Sequence, residues 1–448
     1  MLGGKMTQIR IKDAKLGYDL EHMDKEEAHR LMQEQYAKTG SVDSVEIKDL
    51  HAKGILIDKD GFLYLTRRSI TQRDNQGLID STWGSHIAAG DTPVTSAMYE
   101  SSRELSIATT IMEEDFFYQM LENHPDITDE LAVTRKIGHI RNFESTRKQL
   151  NSADDWVEPC ELTFYVSYFD GKLRQQPKDG GGLCYYTIDT LRKEIGQAPE
   201  NFTSDLRELV QRYGSLMVSY QDLPDFSANP DPQANERIQQ YDLQGNILPT
   251  ALRKNVHDKM IEDFRNGETT HGKHKHVRVM IMRPDGSWYL QQRSMEKKEN
   301  YGKIDKPVGG HVGLGDTYDS AVIHECNDEL AIPAAVLPEE DFRSVVRNRP
   351  EILKHQTVLT RVTSIENFVS RGRTLKGEEP WDETGDTAIY FGIYNGPIKF
   401  KDGESTGVEV KSWDELKKDI AANPEKYTND LDDLIKLFEQ RDVFNLIN

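Results

Sequence analysis

Apolar and polar positions along the chain follow one scheme that appears twice. HAKGILIDKDGFLYLTRRS, from His51, and HVRVMIMRPDGSWYLQQRS, from His276, each hold two apolar runs around a Lys-Asp-Gly-Phe or Pro-Asp-Gly-Ser turn, a clear hairpin signal. A helix-like segment precedes each hairpin, DKEEAHRLMQEQYAK in the first copy and RKNVHDKMIEDFRNG in the second. A glycine-rich loop follows, then a second helix: TPVTSAMYESSRELSIA, with Ala97 and Leu105 as apolar positions, or TYDSAVIHECNDELAIP, with Val322 and Leu330. Further strands are predicted at ELTFYVSYF, from Glu161, and DTAIYFGIY, from Asp386, and helix starts at Ile188 and Trp413. Strands mixed with helices predict an α/β (α+β) sandwich in each half.

The copies stand 225 positions apart and stay in register without a gap: 46 of the 160 residues from 51 to 210 recur 225 positions later. Such a unit is too long for a solenoid repeat and marks duplication of a whole domain. Tyr220–Arg237, with three prolines and little periodicity, reads as a linker. The 448 residues are therefore divided into domains 1–229 and 230–448.

A net charge of −20 opposes general affinity for a nucleic-acid polymer or an anionic membrane surface. Cys160, Cys184 and Cys326 are too few and too scattered for a disulfide framework. No leader-like apolar stretch opens the chain and no long apolar window follows, so a cytoplasmic protein is expected.

Candidate chemistry concentrates where the glycine-rich loop meets the second helix. In GHVGLGDTYDSAVIHECNDELAI, residues 310–332, Glu325, Asp328 and Glu329 share one helix face. Like charges at that spacing repel, and a hard divalent cation would relieve the repulsion. The segment resembles the Nudix box, G-x(5)-E-x(7)-R-E-U-x-E-E-x-G-U, where U is a bulky aliphatic residue. Gly310 stands for the first glycine, Asp316 for the first acid, His324 for the arginine, and Glu325, Asp328 and Glu329 for the later acids. Ala331 replaces the last glycine. The first copy, residues 85–107, keeps Asp91, Glu100 and Glu104, but Ser85 and Ser106 replace glycines, Tyr99 the arginine and Arg103 an acid. The resemblance implies two tandem α/β/α sandwiches with mixed β-sheets. It also implies Mg²⁺ or Mn²⁺ held by Glu325, Asp328 and Glu329, with Glu100 and Glu104 as the weaker counterparts, and His324, Arg293 and Arg68 toward substrate.

Further residues resemble the branch of that family that contains type I isopentenyl-diphosphate isomerase. These are His29 and His257 in the first helices, His51 and His276 at the strand starts, and His86 and His311 in the loops. Acids follow at Glu158 and Glu161 and at Glu383 and Asp386. In that branch such residues form a second metal site, so the set is a candidate second metal or substrate site, and imidazole with carboxylate suits Zn²⁺ or Mn²⁺. His271 and His274 have no histidine partner in the first copy and are expected to be solvated. The isomerase needs a loop cysteine where this chain has Gly84 and Gly309, so isomerisation is disfavoured.

The expected activity is metal-dependent hydrolysis of a diphosphate linkage in a nucleoside diphosphate or other small organic diphosphate, centred in the second domain. Glu329, Glu325, Glu383 and Asp386 are the candidate catalytic carboxylates. The alternative is a non-catalytic metabolite-binding protein built from decayed domains. A monomer or homodimer is expected, with a small-molecule partner.

Overall fold

The apolar runs after His51 and His276 become the central strands of two mixed sheets. This computed structural model describes residues 8–14, 19–20, 22–148, 155–173, 180–223, 237–268, 270, 272–295, 297–375, 378–399 and 405–447. Two units divide the chain, Met1–Leu121 with Asp126–Ala228, and Glu122–Pro125 with Asn229–Asn448. Most of the expected linker, residues 224–236, lies outside the described residues.

In the first unit the strands are β1 (Ile47–Ile57), β2 (Leu63–Arg68), β3 (Trp83–His86), β4 (Ala108–Met112), β5 (Leu131–Arg147), β6 (Trp156–Tyr168) and β7 (Gly180–Tyr186). They are ordered β7-β2-β1-β6-β5-β4, with β3 paired to β1. In the second, β8 (His274–Met282), β9 (Ser287–Arg293), β10 (Val308–His311), β11 (Ala334–Val336), β12 (Thr357–Leu375), β13 (Glu378–Ile393) and β14 (Ser405–Ser412) take the same order, β14-β9-β8-β13-β12-β11, with β10 on β8. The β1–β6 and β8–β13 pairs run parallel and the hairpin neighbours antiparallel. Each unit is a mixed α+β body. Every residue of β1 after Ile47 is buried, as expected of a central strand covered on both faces.

Helices α1 (Lys25–Thr39), α2 (Pro93–Leu105) and α3 (Ser204–Tyr213) belong to the first unit; α4 (Arg253–Arg265), α5 (Tyr318–Leu330) and α6 (Asn429–Gln440) belong to the second. Ala28 and Met32 of α1 pack with Trp156, and Val256 and Met260 of α4 with Trp381. That docking fixes the next residue along each helix, His29 or His257, over its sheet. Thr92 caps α2, with Pro93 in the first turn, and Thr317 with Ser320 forms a capping box on α5. Both box helices therefore start at a set distance from the preceding strand.

Strand pairing extends into stretches where the sequence shows no strand pattern. The glycine-rich loops contain β3 and β10, which place His86 opposite His51 and His311 opposite His276. Glu144–Pro159 and Val369–Glu383, which show no apolar alternation, largely form the outer arms of the β5–β6 and β12–β13 hairpins. Residues 149–154 and 376–377, with Lys376 among them, lie outside the described residues. Bulges carry the backbone pairing past the apolar core, where the side chains give no strand pattern. The glycine run Gly180–Gly182 opens β7 against β2.

Candidate metal centre and active site

In the second unit four imidazoles surround one carboxylate oxygen. Oε1 of Glu383 lies 3.0 Å from Nε2 of His257, 3.3 Å from that of His274, 3.5 Å from that of His276 and 3.8 Å from that of His311. His257 and His311 approach each other at 3.1 Å through their Nε2 atoms. His274 and His276 are two apart on β8, so both point to one sheet face, and neither ring nitrogen of either has a hydrogen-bond partner among the described residues. Burial and neighbouring charge hold these rings neutral. Burial and the nearby Arg373 push His257 down to about 4, while burial and the adjoining imidazoles push His274, His276 and His311 well below the usual range. Neutral imidazole is the ligating form. Two donors about 2.1 Å from a shared tetrahedral centre stand about 3.4 Å apart, so the spacing of His257, His274, His311 and Glu383 fits one transition-metal ion. The guanidinium of Arg373 pairs with the outer oxygen of Glu383 and with Glu299.

The expectation that His274 is solvated is therefore corrected: its ring is fully buried in the donor set. His271 lies outside the described residues. The first-unit counterpart of His274 is Asp49, 225 positions earlier, and Asp49-x-His51 opposite His274-x-His276 was the overlooked sequence signal.

His29, Asp49, His86 and Glu158 form the matching group in the first unit. Here the extra carboxylate changes the electrostatics. Asp49 accepts from His51 at 3.0 Å and from His86 at 2.7 Å, and His29 meets Glu158 at 2.9 Å. Against the effect of burial, Asp49 and Glu158 raise His29 to about 9. Glu158 is lowered to about 2, again against burial, chiefly by Arg147, whose Nε donates to it at 2.6 Å. Two nitrogen and two oxygen donors make this a harder set than its counterpart.

The box carboxylates sit on α5, beside the imidazole group. Glu329 is buried and accepts from Gln291 at 3.2 Å. Glu325 lies against Gly310 so closely that a Cβ there would fall 1.8 Å from its Oε1. The box glycine thus makes room for the carboxylate. Asp328 pairs with His324 at 3.2 Å, one helical turn away. His324, which stands at the box arginine's position, thus meets an acid of its own helix. Glu325, Asp328, Glu329, His257, His276 and His311 all line a single cavity of about 750 Å³. Three carboxylates at a cavity wall and one glycine-made recess fit a hard divalent cation.

On α2 of the first unit the same positions are differently engaged. Arg103 donates to Glu100 at 2.7 Å and to Glu104 at 2.8 Å, cross-linking the two carboxylates. Ser85, the counterpart of Gly310, carries a side chain there and meets Ser96 at 3.1 Å.

Several expected residues stand elsewhere. Asp386 accepts from Lys273 at 2.8 Å and from the backbone of Asn367, and does not line the cavity. Its counterpart Glu161 is held by Lys12 at 3.0 Å and His139 at 2.9 Å, outside the donor group. On a parallel-paired strand both are three residues past the ligating glutamate, an odd step that turns the side chain to the opposite face. Arg68 is bound by Asp74 at 2.6 Å and Asp80 at 3.3 Å. Arg293 lines the cavity but is tied to Asp305 at 3.2 Å. Arg373, which the sequence does not single out, is half-buried beside Glu383.

No protein-family model matches the chain. Over 87 residues it is 32% identical to an uncharacterized Nudix hydrolase, SCO1686, of Streptomyces coelicolor, a stretch covering 19% of this chain and 47% of that protein. The chain thus spans about half the length of this curated relative. Among solved structures it is similar to DR0079 from Deinococcus radiodurans (17% identity, TM-score 0.32, 45% of this chain and 98% of that one). It is also similar to an Ap4A hydrolase from C. elegans (15% identity, TM-score 0.23, 38% and 96%) and to the Nudix domain of Shewanella oneidensis NrtR, solved with ADP ribose (12%, TM-score 0.25, 40% and 97%). The chain is similar to Nudix hydrolases. Among the described residues no helix is long and apolar enough to cross a membrane.

Proposed function

We propose that the chain is a tandem Nudix-type protein whose second unit hydrolyses a diphosphate linkage in a small organic diphosphate, with Mg²⁺ or Mn²⁺ at Glu325, Asp328 and Glu329. The observation that carries this is the Gly310–Glu325 recess in the second unit, set against the Arg103 cross-link in the first. Such an ion, when bound, polarises phosphoryl oxygens and lowers the pKa of water. The chain's own groups do the rest. Gly310 lets Glu325 face the cavity, and Gln291 orients Glu329. Water oxygen attacks phosphorus, the bond to the bridging oxygen breaks with its electron pair, and a box carboxylate takes the water's proton. Glu329 suits that role better than Glu383, which is enclosed by imidazoles and Arg373, or Asp386, which is paired to Lys273. The imidazole groups are second cation sites. Arg103 supports a binding or structural role for the first unit.

The test is hydrolysis by the full chain, with Mg²⁺ or Mn²⁺, of a panel of nucleoside, sugar and prenyl diphosphates. Glu329→Gln is expected to lower turnover at least about a hundredfold, and Glu104→Gln to leave it within twofold. No turnover by the native chain on the whole panel would leave the non-catalytic binding protein standing instead.

A further inference from the structure

The two imidazole–carboxylate groups share one frame. In each unit a helix histidine lies beside a tryptophan, His29 by Trp156 at 5.9 Å and His257 by Trp381 at 6.0 Å between ring centroids. Its ring stands 4.9 Å from that of His86 on β3 or His311 on β10. A central-strand histidine, His51 or His276, packs on that second ring. A glutamate, Glu158 or Glu383, completes each group and is paired to an arginine, Arg147 or Arg373. Within this frame one donor differs. Asp49 stands where the second unit has His274, and both are fully buried.

That one residue sets the chemistry of each donor set. In the second unit three imidazoles and one carboxylate converge, and neither ring nitrogen of His274 has a hydrogen-bond partner among the described residues. A buried ring without a partner is costly, and a metal ion supplies one. In the first unit Asp49 brings a second carboxylate. Its Oδ2 lies 2.7 Å from Nδ1 of His86 and 3.6 Å from Nε2 of His29, and that nitrogen is 2.9 Å from Oε1 of Glu158. Imidazole-rich sets favour Zn²⁺, whereas carboxylate oxygen favours harder ions such as Mn²⁺. Two carboxylates also balance the whole charge of a divalent ion, where one carboxylate balances half.

We propose that the two groups take different ions, Zn²⁺ at His257, His274, His311 and Glu383 and Mn²⁺ at His29, Asp49, His86 and Glu158, and that the residue at 274 or 49 makes the choice. This rests on the reading above that both groups are cation sites. Zn²⁺ outranks Mn²⁺ at nearly any set of nitrogen and oxygen donors, so the choice is a matter of ratio. The preference for Zn²⁺ is steeper in the second unit, which captures it when it is scarce and leaves the first unit to Mn²⁺.

The test is metal competition on the chelator-stripped full chain, with Mg²⁺ in excess to occupy the box carboxylates, one equivalent of Zn²⁺ and an excess of Mn²⁺. Elemental analysis counts the ions retained, and electron paramagnetic resonance follows the bound Mn²⁺. The native chain is expected to keep about one Zn²⁺ and one Mn²⁺, its two sites differing at least about tenfold in preference for Zn²⁺ over Mn²⁺. His274→Asp is expected to erase that difference by lowering the second site's preference, and Asp49→His by raising the first's. Asp49→Asn keeps the side chain's shape and guards against an exchanged residue that does not pack. It is expected to weaken the first unit's Mn²⁺ at least about tenfold while the Zn²⁺ stays. Equal preference at the two sites, or a difference that both exchanges leave in place, overturns the proposal. Uptake of Zn²⁺ without any Mn²⁺ overturns it as well, leaving Asp49 as an ion-pair partner of its histidines. Retention of neither ion sinks the cation-site reading itself, and the proposal with it. Hydrolysis at the box carboxylates is measured separately and stands or falls apart from these outcomes.

Discussion

Gly310 and Glu325 occupy one continuous space: a Cβ on the glycine would fall 1.8 Å from Oε1 of the glutamate. The glycine belongs to β10 and the glutamate to α5, fifteen positions on. Replacing Gly310 by alanine must move the carboxylate out of its recess. Gly310→Ala is expected to reduce hydrolysis and Mn²⁺ affinity by at least about tenfold with the fold retained, since the clash is with a side chain. Activity, Mn²⁺ titration and circular dichroism check this. Unchanged Mn²⁺ affinity would count against the recess as part of the cation site.

The first unit differs at two of these positions, with Ser85 in place of the glycine and Arg103 bonded to both carboxylates. Ser85→Gly/Arg103→Asp is expected to add about one weak Mn²⁺ site per chain, while Arg103→Asp alone gives a smaller gain. Manganese stoichiometry by electron paramagnetic resonance distinguishes the two variants from the native chain.

The imidazole group makes a separate prediction. His274→Ala removes one of four donors around a shared centre, so dialysed protein reconstituted with Zn²⁺ should retain about one equivalent less than native, by elemental analysis. Equal retention would mean that His274 is only packed there.

Ala331 ends α5 at φ 52°, in the left-handed region, where the box pattern has glycine. Holding a residue with a Cβ there costs about 1 kcal/mol. Ala331→Gly is therefore expected to stabilise the second unit by up to about 1 kcal/mol, seen as a higher melting temperature. Ser106, at φ 57° on α2, gives the parallel case.

Asp305 is buried between Lys306 and Arg293, and despite burial those cations hold its carboxyl well below the usual range. A depressed carboxyl contributes its stability above the unfolded value of about 3.9 and loses it as pH falls through the folded value. Asp305→Asn is expected to cost about 3 kcal/mol at pH 7. That difference should narrow below about pH 4, as measured by urea melts across pH.

The helices α1 and α4, the hairpins and the box helices were legible because each rests on neighbouring residues: an Asp-Gly turn, a capping Thr317, an apolar stripe through Val322 and Leu330. Much of the outer hairpins was not, because β12 and β13 continue by backbone pairing through residues with no apolar alternation. The conflict between Glu383 and Asp386 is similar. Sequence made both candidates, and an odd separation on one strand turned only Glu383 toward the imidazoles.

By itself the sequence determined the repeat, the element types and the positions of the box carboxylates, since turn chemistry, helix spacing and register are local properties. Tertiary structure decided which groups meet. His257, His274, His311 and Glu383 come from one helix and three strands, more than a hundred residues apart at the extremes, and only the docking of α4 on Trp381 and the pairing of β8 with β10 and β13 bring their donors within 4.8 Å. The same packing buried His274, drew Arg373 onto Glu383 and left Arg103 lying across the first unit's two glutamates, because burial decides what a charged or ligating side chain must find as a partner.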